Sequence, residues 1–371
     1  MRKEVRNFIQ YRLGAQLLLF LGGGLFYWYY PSLYAGYALY STRFVFFSLL
    51  FSFGIGAVSQ VVLIQKKSSI EVVLSFLIWL FLAVSLLNFI LLCCKFDFYS
   101  DYTYIFWPFG ILSHGILGIY LGRKEDKEYN AFTVRSALVA VIGFLFSAAS
   151  KSIEVFFVLT SLNTLITVIT FCSRMRWVIR KPKLLPFGLV KSEMLAFSSS
   201  MIGFKNAPMV LSYVISAELF SLFKVINSVI SAGASTIIAY AQRQYLDSQE
   251  RVNQARPEKY LKNSNLAKSD YLLFSCFVGT LLLIGLFYSY DAVILGFVSF
   301  TMVIVNVSNT MSYNLLRSKE RFSTDIFTAV FLCISYWTLS KHLYTVFGTT
   351  LIINILYSFI LFKNLRYAKT F

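Results

Sequence analysis

The sequence predicts an all-α polytopic membrane protein of about 12 transmembrane helices in two six-helix halves, and three observations carry that expectation. Apolar residues make up 57% of the 371-residue chain and charged residues 14%, with a mean hydropathy of +0.67, far beyond what a soluble domain carries. Twelve apolar stretches reach 17 residues or more, close to the about 20 residues a helix needs to cross hydrocarbon. These runs are continuous, whereas the strands of a membrane barrel would alternate over about 10 residues.

The stretches lie at 9–30, 36–64, 70–94, 103–121, 131–149, 153–172, 190–213, 218–240, 270–288, 291–315, 324–340 and 343–362. The first follows Arg2, Lys3 and Arg6 and has the look of a signal peptide. It is too long for one and ends on the aromatic cluster Tyr27 to Tyr30 without a small-residue cleavage site, which predicts a retained span. The basic connection 173–189, containing Pro182 and Pro186, falls near the middle. It divides the chain into an N-terminal six-helix half, 1–172, and a C-terminal half, 190–371.

Orientation follows from the connections. With the N-terminus in the cytoplasm, the inner connections and termini carry 25 Lys and Arg and the outer ones 3, namely Lys95, Lys151 and Lys341. Both termini are then cytoplasmic. The formal net charge of +17 is drawn to anionic lipid at that face and requires no nucleic-acid partner. The outer connections are short, leaving no room outside the membrane for a folded catalytic domain.

Four charges sit well inside the spans, and all four are cationic: Arg43, Arg135, Lys205 and Lys224. At roughly 2.5 to 3.5 kcal/mol each, they would cost about 10 kcal/mol without compensation. Glu154, Glu193, Glu218 and Asp291 fall at helix ends, too far out to pair with them deep in the spans. A cationic, water-filled cavity between the halves, receiving a phosphate or pyrophosphate, accounts for all four as substrate-binding residues. Snorkelling is the plainer alternative, strongest for Arg135, about five residues from the cytoplasmic side. Lys205 sits beside Asn206 and Pro208, where a kink would expose backbone groups.

A shift of 181 residues places Gly36–Gly54 on Ala217–Ser235 and brings Arg43 onto Lys224, each about seven residues inside the outer end of its half's second helix. Gly22, Gly23, Gly24, Gly54 and Gly56 are positions for bending or close helix approach. Cys93, Cys94, Cys172, Cys276 and Cys333 lack paired spacing and read as small apolar residues, and His114 and His342 are isolated. No GxxxxGK[ST], HExxH or GxSxG occurs. A transporter without cofactors is expected rather than an enzyme.

The stretch YPSLYAGYALYSTRFVFFSLLFSFGIGAVSQ from Tyr30, together with SAELFSLFKVINSVISAGAS from Ser216, resembles the Wzx-type flippases of the multidrug/oligosaccharidyl-lipid/polysaccharide (MOP) exporter superfamily. The Gly/Tyr-rich AGYALYS followed by an apolar helix closing on FGIG carries the resemblance. It implies a MATE-like fold in the bacterial inner membrane. It also implies translocation of an undecaprenyl-pyrophosphate-linked oligosaccharide, such as an O-antigen repeat unit, to the periplasmic leaflet. Arg43 and Lys224 would line a central cavity, and membrane lipid, a polysaccharide polymerase and a chain-length regulator would be partners. The competing classes are an exporter of another substrate in the same superfamily and a membrane glycan polymerase. The first should carry acidic intramembrane residues, and the second a large outer loop.

Overall fold

The computed structural model describes residues 3–64, 68–94, 101–175 and 207–228, with isolated helical positions at 230, 293–296, 298–300, 326, 330, 352 and 356. Every regular element among the described residues is helical. In order these are α1 (Lys3–Tyr29), α2 (Pro31–Phe51), α3 (Ile55–Ile64), α4 (Ile70–Cys93), a 3-10 turn (Tyr102–Phe106), α5 (Phe109–Gly122), α6 (Asp126–Ser150), α7 (Glu154–Arg174) and α8 (Ala207–Val214). A further helical segment occupies 217–228. The connection 173–189, Lys205 and the predicted spans after 240 lie almost wholly outside the described residues, and with them the division into halves.

The first six predicted spans are helical; among the described residues four helices are long and apolar enough to cross a membrane, or five if the bent pair α2 and α3 is one span, and two of the predicted spans are not continuous α-helices. The second breaks at Ser52–Gly54, where α2 and α3 meet at 51°. Phe53 and Gly54 take φ of 48° and 70°, a left-handed pair that ends one helix and re-aims the chain into the next. Glycine meets that requirement at no steric cost, and Phe53 does not. The fourth span opens with the 3-10 turn, because Pro108 supplies no N–H and regular α5 starts only at Phe109.

Connections alternate between two ends of the bundle. One end holds Tyr30, Asp101 and Lys151, and the other holds Ser68, Ser69 and Arg123–Glu125. Both α5 and α6 stop in a tight left-handed turn on a lysine, Lys124 at φ 61° and Lys151 at φ 53°. Glu125 N–H returns to the Tyr120 carbonyl at 2.9 Å and Ser152 N–H to Ser147 at 3.2 Å, the six-to-one bond that closes a helix C-terminus.

Aromatic side chains fill the centre. The α2 stripe Tyr37, Tyr40, Phe44, Phe47 and Phe51, at helical spacing, packs on Phe144, Phe156, Phe157, Tyr104 and Trp107 with centroids 4.7 to 6.4 Å apart. The outward faces stay apolar, with Leu25, Leu86, Phe89 and Leu145 about 60% exposed, which suits hydrocarbon and would be untenable in water. Trp28, Tyr29 and Tyr102, exposed at the Tyr30 end, mark a membrane interface.

Asn88, buried in the apolar α4, fixes the 3-10 turn to that helix. Its amide nitrogen donates to the Tyr104 carbonyl and its oxygen accepts from the Trp107 indole, both at 3.0 Å. Asn88→Leu removes both bonds and is expected to cost about 2–4 kcal/mol, at 1–2 kcal/mol for each lost buried bond. A fall in thermal midpoint in detergent measures it. A midpoint within about 1 °C of the parent would show that aromatic packing alone seats the turn.

Candidate functional site

Arg43 and Lys224, paired by the sequence shift, stand on the two sides of one contact between α2 and the segment 207–228. Arg43 lies one turn past Tyr40 on α2. The terminal guanidinium nitrogens donate to the Ser212 carbonyl at 3.1 Å and the Tyr104 hydroxyl at 3.5 Å, and Nε reaches the Ser212 hydroxyl at 3.4 Å. The guanidinium carbon sits 4.0 Å from the centroid of the Tyr213 ring. Ser212 belongs to the last turn of α8, where carbonyls lack onward helical partners and the helix dipole favours a cation. Arg43 therefore caps a helix end 169 residues away in the chain.

Lys224 completes the contact from the opposite direction. Its ammonium donates to the Thr42 hydroxyl at 2.8 Å, so each side of the interface contributes one cation and receives one. Lys224 is seven residues into 217–228, about 10 Å from the start by the helical rise. Both cations are half-buried, and their partners are hydroxyls, a carbonyl and a ring. Arg123 forms an ion pair with Glu125 at 2.8 Å, at the other end of the bundle.

Sequence reasoning did not single out Thr42, Tyr104, Ser212 or Tyr213. A second layer holds Tyr104 in place: Asn88 through its carbonyl, and Asp101 through the start of the 3-10 turn. The Asp101 carboxylate accepts from the Tyr40 hydroxyl and, at 2.8 and 2.7 Å, from the Thr103 N–H and hydroxyl. Partial burial works to raise the Asp101 pKa, and the bonds from Tyr40 and Thr103 outweigh it, leaving the group below the usual carboxylate value. A lowered folded-state pKa contributes stability above the unfolded value, and that contribution is lost as pH falls through the folded one. Seating of the 3-10 turn is thus expected to weaken as acidification protonates Asp101. Asp101→Asn should flatten that part of a melting-temperature profile between pH 7 and pH 3; an unchanged profile would assign the loss to other carboxylates.

Arg135 stands apart from this cluster. It is exposed on α6, donates to the Thr167 hydroxyl of α7 and lies 5.8 Å from the Phe132 ring centroid. Arg135→Ala is expected to leave transport within about twofold of the parent, as for an exposed hydrogen bond worth under 0.5 kcal/mol. A tenfold loss would place it in the pathway. Lys205 lies outside the described residues. Among the described residues, no three His, Cys, Asp or Glu side chains come close enough to hold a metal ion.

No protein-family model matches the sequence, and no curated protein matches it. Solved structures do match in fold. An outward-facing multidrug resistance MATE family transporter of the MOP superfamily aligns over 99% of this chain and 94% of its own, with a TM-score of 0.62 and 12% identity. A MATE crystal structure in complex with MaL6 aligns over 100% and 98%, with a TM-score of 0.60 and 12% identity. A MOP superfamily transporter from Pyrococcus furiosus, described as having a binding pocket of reversed polarity that suggests a different function, aligns over 99% and 94%, with a TM-score of 0.60 and 13% identity. The chain is an all-α polytopic membrane protein with the fold seen in MATE transporters of the MOP superfamily.

Proposed function

We propose that the protein is a flippase that moves an undecaprenyl-pyrophosphate-linked oligosaccharide, an O-antigen or other surface-polysaccharide repeat unit, from the cytoplasmic to the periplasmic leaflet. The observation that carries the reading is the Arg43–Lys224 pair, two cations from distant parts of the chain meeting at one interface with neutral partners. Cations held by hydroxyls and a carbonyl keep their charge available, and a diphosphate is the membrane-borne anion that would use two at once. The glycan would travel between the two sides of the interface while the lipid tail stays in the bilayer. The two halves would rock to open the site alternately to each leaflet. In this reading the Tyr30–Asp101–Lys151 end faces the periplasm, both termini are cytoplasmic, and the protein acts as a transporter rather than an enzyme.

The fold is shared with multidrug transporters, so the sign of the buried charge separates the readings. A carrier of cationic drugs is served by intramembrane carboxylates, whereas the charges at this interface are positive. The Pyrococcus furiosus protein, with its reversed-polarity pocket, gives a precedent within the fold for a change of function with a change of pocket charge. The deciding experiment locates lipid-linked repeat units in a deletion strain. The reading expects single repeats on the cytoplasmic leaflet and loss of surface glycan. Single repeats that reach the outside without forming chains would identify a polymerase, and an unchanged strain would identify an exporter of another substrate.

A further inference from the structure

Resting on the flippase reading, we infer that the Arg43–Lys224 bridge is a latch released by the anion it receives. Arg43 reaches from α2 to Ser212 and Tyr213, and Lys224 reaches from 217–228 back to Thr42. The hydrogen bonds between α2 and 207–228, and the ring contact beside them, thus use a cation as donor or ring partner, next to the apolar packing of the buried Leu211, Phe220 and Phe223. The bonds from Arg43 to the Ser212 and Tyr104 hydroxyls, at 3.4 and 3.5 Å, are long for hydrogen bonds, and their acceptors are neutral. A phosphate oxygen makes a shorter and stronger bond to the same N–H groups.

Binding and bridging compete because a phosphate draws each cation toward itself, and a guanidinium or ammonium turned to face the anion leaves its bridging acceptors. A diphosphate that takes the guanidinium fork withdraws it from the last turn of α8, and one that takes the Lys224 ammonium withdraws it from Thr42. Tyr213, 49% exposed, leaves the Arg43 side of the contact accessible at its edge, so an arriving headgroup can displace the ring contact first. The empty protein therefore ties α2 to 207–228 through these polar contacts, and the loaded protein lacks them, leaving the apolar packing of Leu211, Phe220 and Phe223 free to part. Cargo opens the side through which it leaves, and the unloaded carrier stays shut there. A ligand shifts such an equilibrium only through its differential affinity for the two states. Competition for Arg43 and Lys224 supplies that difference.

Spin labels at Tyr102→Cys and Glu218→Cys, both exposed positions at this end and outside the contact, read the opening by pulsed electron resonance. The full chain, with its native cysteines replaced, is reconstituted in nanodiscs and titrated with inorganic pyrophosphate. The latch predicts a second, longer distance whose population rises roughly tenfold from a minor resting fraction. It predicts the same longer distance without pyrophosphate in the Arg43→Gln, Lys224→Gln double variant. Unchanged distances in both experiments, with pyrophosphate binding intact by calorimetry, would overturn the latch and leave the anion site standing. Absence of pyrophosphate binding in the parent protein would overturn the site and the latch together. Monodisperse elution and the parent's resting distance with pyrophosphate absent confirm that the labelled protein is folded.

Discussion

Arg43→Ala and Lys224→Ala are each expected to abolish surface glycan while leaving the protein inserted and abundant. Charge-assisted hydrogen bonds contribute about 1.5–3 kcal/mol each, so the loss of one cation lowers diphosphate affinity by roughly 10- to 150-fold. The structural loss is smaller. Arg43 surrenders two long bonds and one of 3.1 Å to neutral groups, and Lys224 surrenders one bond to Thr42. Function and abundance should therefore separate, and immunoblots of membranes beside glycan gels measure both. Arg43→Lys distinguishes charge from shape. It keeps the charge but loses the planar fork that can cap Ser212 and hold two phosphate oxygens, and is expected to retain part of the activity. Normal glycan in Arg43→Ala and Lys224→Ala would remove the anion-site reading, and loss of protein from the membrane would make the pair structural.

The pairing of Arg43 with Lys224 was legible because cations are so costly in hydrocarbon that few survive there, and a shift that superposes two of them carries information even at low identity. Their neutral partners were not legible in the same way. Serine, threonine and tyrosine are common in membrane helices, and nothing in the spacing of Ser212 and Tyr213 relative to α2 indicates a contact across 169 residues. Asn88 offered a stronger signal that went unused: an amide inside LLNFILL is expensive unless bonded, which by itself points to a buried anchor. The apolar spans in 1–175 and their approximate limits followed from hydropathy, whereas the break in the second was marked in the sequence by Gly54 as a bending position and not by hydropathy. The pattern at Phe53 and Gly54 stays apolar through the turn, and hydropathy registers burial rather than backbone angle. Nor did the sequence indicate that Arg135, exposed on α6, donates to Thr167 of α7.

Gly118→Val is expected to be the most damaging single substitution in the described bundle, because α3 and α5 approach through glycine. A Cβ on Gly118 would stand 2.2 Å from the Gly56 carbonyl oxygen and 2.7 Å from its Cα, both backbone atoms that no rotamer change can move aside. The reciprocal contact is as close: a Cβ on Gly56 would lie 2.8 Å from the His114 carbonyl oxygen. Small residues that let backbones meet are a main means of helix association in lipid, where burial of apolar surface contributes little. Relieving the clash requires α3 and α5 to separate, and overpacking of this kind costs about 1–3 kcal/mol, more where backbone must move. Because α3 follows the bend at Ser52–Gly54 and α2 carries Arg43, displacing α3 also disturbs the helix that presents the cation. Gly118→Val should therefore lower the yield of monodisperse protein and abolish transport together, unlike Arg43→Ala, which lowers transport alone. Gly24→Ala, where an added Cβ meets nothing within 4 Å, is the matched control and should leave both unchanged. A Gly118→Val protein with the parent's thermal midpoint would show that α3 and α5 are held by their side chains and not by the backbone contact.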